Sequence, residues 1–259
     1  MDFYPGFPIT VEADPMGFVY GKGVYGPEPE RRNLNQIRAS LLNPDCNGPE
    51  TVYCIAMDVA LKEDQEDLIA RNLLYGVVTY AKGQLGDEPV RSQGHIHAVS
   101  PSCGASTCEV YEIWDGEAYI YMQQNGGDDA GDCYAVYGKP GDVIIVPPGW
   151  VHATINANPE QNMTFGAWCV RDYGFEYADV RRHNGIAFFP LMNRHGLMGW
   201  KPNERYTNSR LTLKPARTYE DFGIRQGVPI YQQYRESPGL FEFVTHPQMF
   251  LKLWENYHP

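Results

Sequence analysis

Period-two alternation of apolar and polar positions dominates the middle of the chain. Leu73 to Tyr80 is apolar and β-branched, and Glu109 to Trp114 alternates. Ala118 to Gln123, Cys133 to Tyr137, Val143 to Val146 and Met163 to Val170 are short runs of the same kind. Gly83, Gly86 and the loop from Asn125 to Asp129 separate them, and Asp115-Gly116 predicts a hairpin joining 109–114 to 118–123. Many short strands at near-regular spacing predict an all-β fold, a closed or double-sheet barrel. Residues 1–30, rich in Pro and Gly, predict an extended arm with turns. Residues 31–42 carry apolar side chains at Leu34, Ile37, Leu41 and Leu42, a helical spacing that Asn43-Pro44 would end. Thr51 to Val59 is a β-type run, and the acidic stretch from Glu63 to Asp67 behind it predicts a solvated turn. Lys201 to Pro215 is polar and turn-rich; His246-Pro247 to Trp254 predicts a short helix opened by proline, with Phe250, Leu251 and Trp254 on one face. The expected division is an N-terminal arm and helix (1–50), a barrel (51–195) and a C-terminal extension (196–259) that wraps the barrel or a partner subunit.

Composition narrows the function classes. With 259 residues, 43% of them hydrophobic and 20% charged, the chain can bury a sizeable core. Its 18 Tyr, 11 Phe and 5 Trp favour strands. A formal net charge of −11 argues against nucleic acid or an anionic membrane as partner, though a local basic pocket could still take a small anion. No apolar run approaches the roughly 20 residues that span a bilayer, and Met1 to Pro5 lacks the basic and apolar regions of a secretory signal. Six cysteines without C-x-x-C spacing predict reduced thiols and a cytoplasmic location.

The candidate chemistry lies between residues 94 and 156. Strand alternation turns residues i and i+2 to one face, so His95 and His97 can address one point inside the barrel. Glu109 and Tyr111 share a face on another strand, and Glu112 points to the opposite one. His152 follows the Pro147-Pro148-Gly149 turn. Three imidazoles and one carboxylate make a site suited to Fe2+, Mn2+, Zn2+ or Ni2+, with positions left for water or a substrate oxygen. Cys103 and Cys108 are expected as loop surface thiols, and His183 and His195 as surface or structural histidines.

Two motifs carry a resemblance to the cupin superfamily. Gly141, Pro147, Gly149, His152 and Asn156 fit G-x5-P-x-G-x2-H-x3-N throughout. His95-x-His97 and Glu109-x6-Gly116 fit the first motif, with an inserted loop from Ala98 to Cys108 and Pro89 in place of its leading Gly. The flanking text, Gln93-Gly94-His95-Ile96-His97-Ala98, Cys108-Glu109-Val110-Tyr111 and Asp172 to Tyr177, resembles the cupin-type (archaeal-type) glucose-6-phosphate isomerases from about Arg31 to about Pro190. The resemblance implies a double-stranded β-helix, a jelly-roll barrel, holding a divalent metal, Fe2+ first among the candidates, on His95, His97, Glu109 and His152. It implies interconversion of glucose 6-phosphate and fructose 6-phosphate, an intramolecular oxidoreduction of glycolysis and gluconeogenesis, by an enediol or a hydride-shift route. Glu109, Tyr111 and Tyr177 would be catalytic; Ser92, Thr79, Arg91 and Gly94 would bind the phosphosugar. Gln93 stands where that family has a lysine, and Arg91, Lys82 and Arg171 are candidates to replace its charge, each having a solvated surface charge as the plainer reading. A homodimer is the expected assembly. Two other functions compete: another metal-dependent cupin, acting on a different sugar or as a dioxygenase, and a non-catalytic sugar-binding cupin.

Overall fold

The computed structural model describes residues 3–192 and 198–259, so His195 and the expected 195/196 boundary lie outside the described residues. Two sheets form the body. The larger runs Val143–Val146, Glu109–Asp115, Met163–Val170, Leu73–Tyr80, Thr51–Met57 and Glu30–Asn33, all antiparallel neighbours. The smaller runs Val151–Asn156, Ala118–Gln123, Asp129–Gly138 and Asn208–Pro215. Apolar residues of both, among them Val110, Ile113, Ile120, Met122 and Val136, meet in one buried core. This is the all-β double-sheet body that the alternation predicts and the jelly roll that the resemblance implies.

Several local expectations fail for identifiable reasons. Asp115-Gly116 does not close a hairpin. The strand before it belongs to the large sheet and the strand after it to the small one, so the dipeptide turns a corner between sheets. Gly116 takes φ +71, and a Cβ there would lie 2.7 Å from the Asn162 carbonyl oxygen, so only glycine fits. Residues 31–42 are not one helix: Glu30–Asn33 pairs with the Thr51 strand, and two 3-10 turns follow at Leu34–Gln36 and Arg38–Ser40. The acidic stretch coils into a 3-10 turn, Lys62–Asp64, and a helix, Gln65–Ala70, instead of a plain turn. Its carboxylates are partly engaged: Tyr231 donates to Asp64 at 2.8 Å and Tyr234 to Asp67 at 2.7 Å.

The polar stretch after residue 200 contains a strand, Asn208–Pro215, that extends the small sheet in parallel with Asp129–Gly138. The terminal helix is short, Leu251–Glu255 after a 3-10 turn at Pro247–Phe250, and Leu251 is exposed instead of sharing an apolar face. A helix not anticipated, Ile230–Glu236, covers the outer face of the large sheet. Its Tyr231 ring stacks 5.5 Å from Trp168 and meets Phe7 of the arm at 4.7 Å, edge on. Leu73–Tyr80 is therefore buried on both faces. Arm and extension share the barrel's core, and each supplies a strand to one of its sheets.

Candidate metal centre

The side chains at 95, 97, 109 and 152 converge, each offering one ligand atom within 4.8 Å of the others. Three local devices bring them together. Gly94, at φ +92, bends the chain so that His95 and His152 exchange two backbone hydrogen bonds of 3.0 and 2.9 Å. Gly149, at φ +79, turns the chain from the large sheet to the small one and places His152 near the start of Val151–Asn156. Glu109 opens the large-sheet strand Glu109–Asp115, opposite Val146. Asn156, the last residue of the second motif, is a loop staple: its Nδ2 donates to the carbonyls of Ala81 and Gln161 at 3.0 and 2.9 Å.

Protonation chemistry decides what the cluster can hold. His97 Nδ1 donates to the Thr107 carbonyl and His152 Nδ1 to the Trp150 carbonyl, both at 3.1 Å. With those tautomers fixed, each Nε2 presents a lone pair. Glu109 Oε2, itself an acceptor, lies 3.2 Å from both. His95 Nε2 and His97 Nε2 are buried without a partner. Electron pairs facing one another in a buried space need a cation between them. The donor set and its backbone-anchored imidazoles fit a divalent metal.

Burial pushes the Glu109 carboxyl up, but His152 and His97 pull it well below the ordinary carboxylate range when their Nε2 atoms carry a proton; with lone pairs there instead, a cation in the same place would take over that role. Burial, then repulsion from His152 and His97, holds His95 well below its ordinary value; burial also lowers His152. Tyr111 donates to Glu109 Oε2 at 2.8 Å, and burial with the nearby carboxylate pushes its phenol far up, so it remains a proton-bearing donor.

The inserted loop is part of this centre. Thr107 supplies the carbonyl that orients His97, and Ser106 Oγ donates to the His97 carbonyl at 2.7 Å while accepting from Gly149 N at 3.1 Å. Asp172 ties the loop down, accepting from Ser100 Oγ, Ser102 N and Ser102 Oγ at 2.8, 2.9 and 2.6 Å. Burial raises that carboxyl, but these bonds and one from Asn72 prevail and bring it to about 2. Cys103 and Cys108 are free, and Cys108 is fully buried instead of lying on the loop surface.

A pocket of about 670 Å³, mouth included, opens beside the cluster and is lined by Ser92, Gln93, His95, Glu109, Tyr111 and Tyr177 among others. Tyr177 stands 5.9 Å from His95, ring to ring, and Phe175 4.5 Å. Ser92 Oγ accepts from Thr154 N at 3.1 Å. Three of the four expected substrate-binding residues, Thr79, Arg91 and Gly94, do not line the pocket. Gly76, Val78 and Tyr80 line it, so alternation turns Thr79 to the opposite face, where Thr164 donates to it at 2.9 Å. Arg91 is fully buried and spends its guanidinium on Glu88 and the carbonyls of Ser92 and Ser40. Gly94 shapes the turn without lining the pocket. Arg171 grips Asp58 with two bonds of 2.7 and 2.8 Å, and Lys82 is exposed. Glu112 lies on the face away from the pocket, as alternation requires, but the Ile230 helix buries it. His183 is structural: its Nδ1 donates to the Asp179 carbonyl at 2.8 Å and its ring stacks on Tyr206. Among the described residues that line the pocket, Arg32 carries the cation, from a segment whose helical spacing conceals the strand it forms.

The family model described as glucose-6-phosphate isomerase (GPI) matches residues 39–207. The glucose-6-phosphate isomerase of Thermococcus onnurineus is 27% identical over 122 residues, 47% of this chain and 58% of that protein. That of Pyrococcus furiosus is 30% identical over 123 residues, 47% of this chain and 57% of that protein. The match thus spans somewhat over half the length of these curated relatives. Among solved structures, a cupin superfamily protein from Desulfitobacterium hafniense is 15% identical with a TM-score of 0.26, over 38% of this chain and 66% of that one. An oxalate decarboxylase variant from B. subtilis is 15% identical with a TM-score of 0.33, over 51% and 27%.

Proposed function

This chain belongs to the glucose-6-phosphate isomerase family, and from that premise we propose that it interconverts glucose 6-phosphate and fructose 6-phosphate at the His95/His97/Glu109/His152 centre. The observation that carries the reading is the set of lone pairs converging beside a pocket that Tyr111, Tyr177 and Ser92 line. His95, His97 and His152 would hold the cation with Glu109. Fe2+ is the proposed native ion, with Mn2+, Zn2+ and Ni2+ compatible with the same donors. Once bound, the ion supplies Lewis-acid polarisation of the substrate's C1 and C2 oxygens.

The remaining chemistry belongs to side chains. Glu109, held ionised, takes the proton from C2 of the open-chain aldose; the C2–H pair becomes the C1–C2 double bond while the C1 carbonyl pair moves onto O1, which takes a proton to give an enediol. O2 then gives up its proton, its pair forming the C2 carbonyl, as the C1–C2 double-bond pair takes the proton back from the same carboxyl at C1, and the ketose results. Tyr111, donating to Glu109 Oε2, fixes that carboxylate and keeps its own proton. Tyr177 and Ser92 orient hydroxyl groups of the sugar. We further propose a homodimer in the cytoplasm, and light scattering at micromolar concentration tests the assembly.

A coupled assay with fructose 6-phosphate, with and without added Fe2+ or Mn2+, tests the function. Run in deuterium oxide, turnover should place deuterium on carbon, and Glu109→Gln should abolish both. Isomerisation without label from solvent, together with activity retained in Glu109→Gln, would remove Glu109 as the base and leave a hydride shift. Oxygen uptake without isomerisation, or sugar binding unchanged in Glu109→Gln, would replace the proposal with a dioxygenase or a binding protein.

A further inference from the structure

Among the described residues lining the pocket, one carries an Arg or Lys side chain: Arg32. It comes from the edge strand Glu30–Asn33, ahead of the residues that the family match covers. Its neighbours Arg31 and Asn33 are exposed, whereas Arg32 is three-quarters buried opposite Tyr53 in the register. Beyond a bond to the Tyr53 phenol, part of its hydrogen-bonding capacity is unspent. Nε is buried without a partner, and the one ion pair is Nη2 to Glu30 Oε1 at 2.9 Å, to a carboxylate 64% exposed. A buried guanidinium N–H without an acceptor is costly, and an arginine presents its donors as a planar fork suited to two oxygens at once.

The surroundings say which ligand would supply those oxygens. The phenols of Tyr53 and Tyr177 both lie within the field of Arg32, and burial keeps each above its ordinary value, so both are neutral hydroxyl donors. Tyr177 is also the ring 5.9 Å from His95. Arg32, Tyr177 and His95 line the same pocket. Arg181 lies over the Tyr177 ring at 5.0 Å, its Nε donating to Gln93 Oε1 at 3.1 Å. Gln93 leaves this part of the pocket without a lysine, and Arg91 is consumed by Glu88.

We propose that Arg32 is the anion-binding residue of this pocket, taking the phosphate of a sugar phosphate in place of Glu30 and thereby selecting phosphorylated over neutral sugars. The identity of the sugar rests on the isomerase reading; the anion site itself does not. Glu30 acts as an internal competitor that an incoming phosphate displaces into solvent.

Thermal-shift titration of the purified full-length chain with inorganic phosphate, for wild type, Arg32→Met, Arg32→Lys and Glu30→Gln, tests the site directly. Arg32→Met should weaken phosphate about 10- to 100-fold; Arg32→Lys should restore part of that, and Glu30→Gln should tighten binding a few-fold. In the isomerase assay, Arg32→Met should raise KM for fructose 6-phosphate by a similar factor with kcat within about threefold. Phosphate binding unchanged in Arg32→Met, or none in wild type, overturns the assignment. If Arg32→Met does not fold, weaker or unchanged binding in Glu30→Gln overturns it instead. Loss of phosphate binding in Arg32→Met, in a chain that does not isomerise fructose 6-phosphate, would sink the isomerase reading and leave Arg32 as an anion site.

Discussion

Replacing Glu112 by Gln should stabilise the protein in mild alkali while leaving it nearly unchanged in mild acid. Glu112 is fully enclosed between the large sheet and the Ile230 helix. Its Oε1 accepts from Ile230 N at 2.8 Å, but neither its Oε2 nor the Tyr75 hydroxyl has a well-formed partner. No Lys or Arg is among the groups acting on it, and burial pushes its carboxyl up to about 8, against the Ile230 and Trp114 N–H groups. Tyr75, pushed well up by burial and then by Glu112, stays neutral. A carboxyl with a folded pKa above its unfolded value binds more protons folded than unfolded between the two. Stability therefore falls as pH rises from about 4.5 to about 8, and the loss is complete beyond. At about 1.4 kcal/mol per pH unit that interval is worth roughly 5 kcal/mol. Glutamine keeps the acceptor for Ile230 and never ionises. Urea unfolding followed at steps from pH 5 to pH 9 should show wild type losing several kcal/mol that the variant keeps, with the curves meeting near pH 5. Parallel curves would refute the argument, because the carboxyl would then ionise with no cost to the fold.

Two further outcomes separate structural from functional roles. Arg91→Met leaves the Glu88 carboxylate buried and unpaired, and should cost about 3–5 kcal/mol in chemical denaturation. Where it folds, its phosphate affinity should stay within about twofold of wild type, the reverse of Arg32→Met. Tyr111→Phe removes the bond that orients Glu109 and should weaken metal binding about 10- to 100-fold in a chelator competition, with little change in Tm.

The alternation of short apolar runs made most of the barrel strands legible, because each buries a face whose period of two is unmistakable. The same rule paired His95 with His97 and Glu109 with Tyr111, and it separated Glu112 from them. Tertiary covering lay beyond it: Glu112 points away from the pocket, yet a helix more than a hundred residues later buries it. Asp115-Gly116 has hairpin chemistry, but a tight turn does not say whether the next strand joins the same sheet. Asn208–Pro215 escaped notice because an exposed edge strand has little apolar face to display. Arg91 left the pocket, where the resemblance put it, for a related reason. One buried acceptor, Glu88, captures Arg91, and no property of the arginine itself announces that capture.

The corner at Asp115-Gly116 sends the chain from one wall of the barrel to the other, so Glu109 hangs from the large sheet while His152 stands on the small one. An ion gripped by both is a rivet through opposing walls. Filling the site would hold the walls together and emptying it would let them part, so the grip on the ion would bear on the width of the pocket beside it.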